Sequence, residues 1–153
     1  MKEIERKFLV IRAEYRNGIL PVRYRQGYIM QDATGHLRIR VGGGKAILGF
    51  KKLISGFSRW EFEYPVPVDD AEEMLAHLCE GRVVEKDRYT LTYRGMRWEV
   101  DEFLGKNAGL VIAEIELDSE GRYFEKPPWA GEEVTHDPRY LNVHLAEHPY
   151  GEW

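Results

Sequence analysis

Residues 2–10 read KEIERKFLV, a stretch in which charged and apolar side chains nearly alternate. Glu3, Glu5 and Lys7 fall on one face of an extended chain, and Ile4, Phe8 and Val10 fall on the other, interrupted by Arg6. A period of two is typical of a β-strand, because successive side chains of a strand point to opposite faces. This strand therefore has three charged residues in succession on one face, and much of the remaining chain repeats the arrangement.

The same alternation predicts seven further strands, namely Arg23–Met30, His36–Val41, Ala46–Lys52, Arg59–Val66, Arg82–Tyr93, Arg97–Phe103 and Leu110–Asp118. Two helices are expected, one capped by Asp69 and ending at Gly81, the other beginning at Asp137-Pro138 and running to about Glu147. Most strands follow one another through short turns, which favours antiparallel pairing. Eight such strands avoid exposed edges by closing into a barrel, so we expect an α+β fold with an eight-stranded antiparallel closed β-barrel and flanking helices.

Length and composition indicate a single domain over residues 1–153, with 43% apolar and 31% charged residues. No apolar run reaches the roughly 18 residues of a membrane span, and no apolar leader suggests secretion. Cys79 is the single cysteine, which excludes an internal disulfide and fits a reducing, cytoplasmic setting. The net charge of −4 argues against a nucleic-acid partner.

Charged residues two apart recur in most of the predicted strands. The acidic pairs are Glu3/Glu5, Glu61/Glu63, Glu99/Asp101 and Glu114/Glu116, the basic pairs are Arg38/Arg40 and Lys86/Arg88, and Lys7, Lys51 and Arg59 extend the set. Paired carboxylates suit a hard divalent cation such as Mg²⁺ or Mn²⁺, and paired Arg and Lys suit phosphate oxygens. A solvated sheet face is the alternative interpretation, since alternation alone does not say whether the charged face points inward.

Four of these motifs, in this order, resemble the CYTH superfamily, also called triphosphate tunnel metalloenzymes. They are the E-x-E-x-K of residues 3–7, the R-x-R of 38–40, the K-x-R of 86–88 and the E-x-E of 114–116. Lys51, Glu61-Phe62-Glu63, Glu99–Phe103 and the ending from Glu133 to Asn142 also match, the last in the manner of short bacterial members. The resemblance covers nearly the whole chain.

The resemblance implies a closed barrel whose charged interior binds a triphosphate with Mg²⁺ or Mn²⁺. It implies phosphate binding by Lys7, Arg38, Arg40, Lys51, Arg59, Lys86 and Arg88, and metal binding by Glu3, Glu5, Glu63, Asp101, Glu114 and Glu116. The catalytic set is Glu3, Glu5, Lys7, Glu114 and Glu116, whereas Glu61 supports its neighbours. Lys52 is a register alternative to Lys51, because the turn before this strand leaves its phase uncertain by one residue.

The expected reaction is metal-dependent hydrolysis of a triphosphate, with inorganic tripolyphosphate as the first candidate for the substrate. A class IV adenylate cyclase and a phosphohydrolase acting on thiamine triphosphate or a nucleoside triphosphate remain alternatives within the family. A non-catalytic polyphosphate-binding module is the alternative of another class, and a homodimer stays open. Tyr28, Trp60 and Trp98 are expected to pack in the core, and His36 is assigned no role.

Overall fold

The alternating segments form strands of one antiparallel sheet, and the computed structural model describes all residues, 1–153. The strands are β1 (Lys2–Val10), β2 (Val22–Gln31), β3 (Gly35–Gly42), β4 (Lys45–Ser55), β5 (Ser58–Val66), β6 (Val83–Tyr93), β7 (Met96–Phe103), β8 (Val111–Glu116) and β9 (Ala130–Glu133). The helices are α1 (Val68–His77) and α2 (Asn142–Glu147), with short 3₁₀ turns at Gly105–Asn107, Pro138–Tyr140 and Tyr150–Glu152. Neither helix has the length and hydropathy needed to cross a membrane.

Strands β1 to β8 close into a barrel in the order β1-β5-β4-β3-β2-β6-β7-β8, because β1 pairs with β8 on one edge and with β5 on the other. The pairing with β5 covers only Lys2–Ile4, and β9 takes over the same edge at Phe8 and Val10. Every ladder is antiparallel, as the short turns predict. The predicted α+β barrel of eight strands is therefore confirmed, and β9 extends it.

The strand β9 was not predicted, because its sequence Ala-Gly-Glu-Glu has no apolar alternation. The predicted start of the first helix was also wrong. Helix α1 begins at Val68 after Pro67, and no side chain caps it, so Asp69 lies in the first turn, where its charge suits the helix dipole. The helix ends at His77, before a turn in which Glu80 and Gly81 have positive φ angles.

The second predicted helix is divided into two parts. Asp137 does cap, since its carboxylate accepts a hydrogen bond from the Arg139 amide, but the element it caps is the 3₁₀ turn Pro138–Tyr140. Leu141 is extended and interrupts the helical path, so that α2 begins only at Asn142. This break allows the segment to turn toward the barrel.

One end of the barrel interior is filled by apolar side chains. On β1, β6, β7 and β8 the inward-facing residues at this end are Leu9, Val84, Phe103 and Ile112, each two positions from a charged residue of the same face. They pack with Leu145 of α2 in one buried cluster. The segment after β9 therefore closes this end, while the other end stays open to the charged interior.

Candidate active site

The barrel encloses a cavity of about 270 Å³ whose wall is mostly charged. Its basic residues are Lys7, Arg38, Arg40, Lys51, Arg59, Lys86, Arg88 and Arg97, and its acidic residues are Glu3, Glu5, Glu61, Glu63, Glu99, Glu114 and Glu116. The charged face of the sheet thus points inward. Every residue predicted for the site lines this cavity except Asp101.

Strand register places acidic and basic side chains opposite one another. Across the β1–β8 ladder, Lys7 is paired with Glu114 and Glu5 with Glu116. The Lys7 ammonium lies 2.8 Å from Glu114 and 3.1 Å from Glu5, and it donates a hydrogen bond to Glu114. Burial opposes ionisation of Glu5, but Lys7 and Lys51 outweigh it and lower the Glu5 pKa to about 2. The carboxylates of Glu5 and Glu114 are therefore both held in place by ion pairs with Lys7.

In β4, Lys51 and not Lys52 faces the interior of the barrel. The Lys51 Nζ atom lies 2.9 Å from a Glu3 oxygen and 3.4 Å from a Glu61 oxygen, so this side chain points into the cavity. Lys52 is exposed and is absent from the cavity wall, since consecutive residues of a strand face opposite ways. Glu61 thus contacts a cavity lysine, the position expected for a supporting residue.

Asp101 lies behind the cavity wall and not on it. Its side chain is fully buried, and its two oxygens accept hydrogen bonds from Arg88 at 2.7 and 2.8 Å, with Lys86 Nζ also 2.8 Å away. Burial raises the pKa of such a carboxyl, but Arg88 and Lys86 outweigh it and lower the Asp101 pKa. Because both oxygens of Asp101 already contact Arg88 or Lys86, this residue is placed to hold these two basic side chains. The prediction that placed Asp101 among the metal ligands therefore differs from its observed position.

Two basic side chains of the cavity, Arg38 and Arg59, have donors without a partner. The Arg38 Nε atom is buried without a hydrogen-bond acceptor, although Nη2 of the same side chain reaches Glu63 at 3.0 Å. Gly49, the cross-strand partner of Arg38, leaves room for this guanidinium, because a Cβ atom there would lie 3.2 Å from Nη2. Arg59 has no carboxylate within ion-pair distance. A buried donor without an acceptor is costly, so this basic wall is suited to an anion.

Glu116 is an acidic residue of the cavity wall that also lacks a partner. No cation lies within ion-pair distance of it, and burial together with the carboxylates of Glu3, Glu5 and Glu61 raises its pKa. These four side chains concentrate negative charge along β1, β5 and β8. Carboxylate oxygens are the ligands that Mg²⁺ and Mn²⁺ prefer, so the donor chemistry fits a divalent cation.

The carboxylates are not preassembled around a single point. No three of them are close enough together to hold an ion as they stand. Instead, Lys7 and Lys51 bind Glu3, Glu5 and Glu114 directly. The acidic wall is thus compensated by lysines, and a cation would bind here by taking carboxylates from them.

The cavity also includes residues that strand alternation did not identify as functional. They are Tyr24, Gln26, Tyr28, His36, Phe57, Arg97, Thr135, Leu141, Asn142 and Val143, while Glu99, one of the predicted acidic pairs, also lines the cavity. Tyr28 and His36 were expected to have no role in the site, yet they contact each other on the cavity wall with ring centroids 5.0 Å apart. Burial, with Lys51 and Arg38 nearby, lowers the His36 pKa to about 3, so this imidazole is neutral at physiological pH.

Residues 1–150 match the model of the CYTH domain family. The chain belongs to the CYTH domain family. This CYTH protein is 52% identical over 149 residues to an inorganic triphosphatase of Acetivibrio thermocellus, a match that covers 97% of this chain and 96% of the relative. It is 42% identical over 151 residues to an inorganic triphosphatase of Nitrosomonas europaea, covering 95% of this chain and 97% of that protein.

Solved structures agree with the architecture of this CYTH protein. The crystal structure of the inorganic triphosphatase NE1496 superposes with a TM-score of 0.66 at 38% identity, covering 94% of this chain and 93% of that one. The PH1012 protein from Pyrococcus horikoshii superposes with a TM-score of 0.59 at 22% identity, covering 77% and 79% of the two chains. The second likeness concerns the fold alone.

Proposed function

We propose that this CYTH protein hydrolyses inorganic tripolyphosphate within its barrel, with Mg²⁺ or Mn²⁺ as cofactor. The observation that carries the proposal is a cavity with a basic wall, in which Arg38 Nε and the Arg59 side chain have no partner, and a wall of crowded carboxylates. A triphosphate with its counter-cation would satisfy both walls at once. The two relatives named inorganic triphosphatase, at 52% and 42% identity, support the same activity.

The basic wall would bind and orient the phosphate oxygens. Lys7, Arg38, Arg40, Lys51, Arg59, Lys86 and Arg88 are assigned to this role, since their side chains line the cavity. Glu3, Glu5, Glu63, Glu114 and Glu116 are assigned to the metal. A bound Mg²⁺ or Mn²⁺ supplies neutralisation of phosphate charge and lowers the pKa of a water ligand. Catalysis by the chain itself then consists of positioning and electrostatic stabilisation, as is usual for phosphoryl transfer.

Two features favour an inorganic substrate over a nucleotide. The apolar cluster at one end of the barrel leaves no passage for a nucleoside there. Neither tryptophan can stack on a base in the cavity. Trp98 is fully buried in the core outside the cavity, as expected, whereas Trp60, which was also expected in the core, is 49% exposed and absent from the cavity wall. Tyr24 does line the cavity, but the Arg40 and Arg88 guanidinium groups lie over its ring.

The proposal is tested by measuring phosphate release from tripolyphosphate and from ATP, each with Mg²⁺, with Mn²⁺ and with EDTA. We expect release from tripolyphosphate that depends on the metal and is abolished by EDTA, and much slower release from ATP. Formation of cyclic AMP from ATP would support a cyclase instead. Binding of tripolyphosphate without turnover under any condition would support a non-catalytic polyphosphate-binding module.

The adjacent lysines of β4 provide a matched pair of variants. Lys51→Ala is expected to lower kcat/KM for tripolyphosphate by about 10- to 100-fold, because it removes a charge-assisted contact to phosphate. Lys52→Ala removes the same charge from the outer face and is expected to change kcat/KM by less than about twofold. Steady-state kinetics of the two variants side by side decide this, and equal losses in both would contradict the assignment of Lys51.

Three further expectations from the sequence stay predictions. They are a cytoplasmic setting, the absence of a nucleic-acid partner and a homodimer. The thiol of Cys79 is free and buried, as a reducing compartment permits.

A further inference from the structure

A chain of hydrogen bonds links the C-terminal segment to two strands of the barrel. Asn142, the first residue of α2, accepts a hydrogen bond from Lys86 Nζ at 2.9 Å and another from Gln26 Nε2 at 3.2 Å through its Oδ1 atom. The Gln26 Nε2 atom also donates to the Tyr28 hydroxyl at 2.7 Å. All four residues line the cavity, and Asn142 was not among the predicted site residues.

The orientation of both amides in this chain is fixed by chemistry. A lysine ammonium has only donors, so the Asn142 atom that faces Lys86 must be the carbonyl oxygen. That oxygen then requires a donor from Gln26, which determines the direction of the Gln26 amide as well. The contacts therefore allow one arrangement of donors and acceptors, in which the Gln26 Oε1 atom is buried without a donor.

Asn142 determines where Lys86 presents its remaining proton. The Lys86 side chain is only 2% exposed, and its ammonium has three N–H donors. Asp101, 2.8 Å away, and Asn142 are the acceptors for two of them. Because the ammonium is tetrahedral, fixing two N–H directions fixes the third, which is left for a group in the cavity.

Asn142 acts on Tyr28 through Gln26. The Tyr28 oxygen accepts a hydrogen bond from Gln26, and its own proton has no acceptor within the protein. Tyr28 thus has an O–H donor available on the cavity wall, and its position depends on an amide that Asn142 holds. Two donors, from Lys86 and Tyr28, are oriented by one residue of the segment that closes the barrel.

We propose that Asn142 is a positioning residue of the triphosphate site, which directs the free donors of Lys86 and Tyr28 toward the phosphate group at the closed end. This inference rests on the proposed function. Asn142 does not need to touch the substrate, since it acts through Lys86 and, by way of Gln26, through Tyr28. A misdirected donor weakens the transition-state contact even where the binding charge is retained.

Asn107 supplies a matched control for the test. Asn107 is buried, whereas Asn142 is half-buried, and it also holds the C-terminal segment. It accepts a hydrogen bond from the Tyr150 amide at 2.8 Å and donates to the Leu145 carbonyl at 3.4 Å, but it lies outside the cavity wall. Asn142→Ala is expected to lower kcat/KM for Mg²⁺-tripolyphosphate by about 10-fold, with kcat lowered as well as KM raised. Asn107→Ala is expected to lower the Tm at least as much, with less than about a twofold change in kcat/KM.

A double-mutant cycle with Lys86→Ala separates positioning from folding. The affinity for sodium tripolyphosphate in EDTA, measured by calorimetry, should fall in Asn142→Ala, and the fall should be smaller once Lys86 is absent, because only the route through Gln26 and Tyr28 then remains. Equal effects of Asn142→Ala in both backgrounds, or an equal loss of activity in Asn107→Ala, would overturn the inference. A wild-type protein that binds without hydrolysis would overturn the proposed function, while the cycle would still decide the role of Asn142.

Discussion

Glu116→Gln is expected to lower kcat for tripolyphosphate hydrolysis by at least about 100-fold and to raise the Tm of the metal-free protein. Without a cation, the Glu116 carboxylate is crowded by Glu3, Glu5 and Glu61, and its raised pKa means that its ionised form is disfavoured in the fold. An amide of the same shape removes that repulsion. The same change removes a charge assigned to the metal, so activity and stability should move in opposite directions.

The matched control for this prediction is Glu132→Gln, an exposed glutamate outside the cavity, which should alter neither kcat nor Tm appreciably. Thermal unfolding is recorded with and without Mg²⁺. We expect Mg²⁺ to raise the Tm of the wild type more than that of the Glu116 variant, because ligand binding to the folded state stabilises it. A lower Tm in the metal-free variant, or an unchanged kcat, would contradict the assignment of Glu116.

Asp101→Ala is expected to reduce the free energy of unfolding by about 3–5 kcal/mol, because it leaves the Lys86 and Arg88 charges buried without their shared partner. Urea denaturation measures this loss. Asp118→Ala is the control, since Asp118 pairs only with Arg122 at the surface and should contribute little. A loss no greater than that of the control would mean that water or another carboxylate replaces Asp101.

The Asp101 prediction also has a pH dependence of known sign. Since the folded protein lowers the pKa of Asp101, its stabilisation is present above the unfolded value of about 3.9 and is lost as the pH falls through the folded value. The difference in stability between wild type and Asp101→Ala should therefore shrink only under strongly acidic conditions. A difference already lost near neutral pH would contradict the ion-paired state.

Strand alternation was sufficient to predict most of the barrel and most of its charged wall. Glu3, Glu5 and Lys7 fall on one face because the side-chain period of a strand is two, and the resemblance to a known family indicated that this face points inward. Alternation alone could not do so. It also could not fix the phase of β4, because Lys51 and Lys52 are both charged and the preceding turn can shift the register by one residue.

The residues that were missed come from places where periodicity carries no information. Asn142 enters the cavity from a segment whose path depends on the extended Leu141 and on packing of Leu145, neither of which a local pattern encodes. Tyr28 and His36 have types that usually indicate packing, and only the folded sheet places them beside Arg38 and Lys51. Long-range packing, and not local propensity, therefore completes this end of the site.

The apolar cluster beneath the charged wall fills one end of the barrel, which leaves the other end for access to the cavity. Substrate and products must then pass through the same opening, so a product that stays bound blocks the next substrate. A long polyphosphate chain can insert one end but cannot be threaded from one side to the other. The path of substrate and products is thus determined by uncharged residues at the filled end of the barrel, namely Leu9, Val84, Phe103, Ile112 and Leu145.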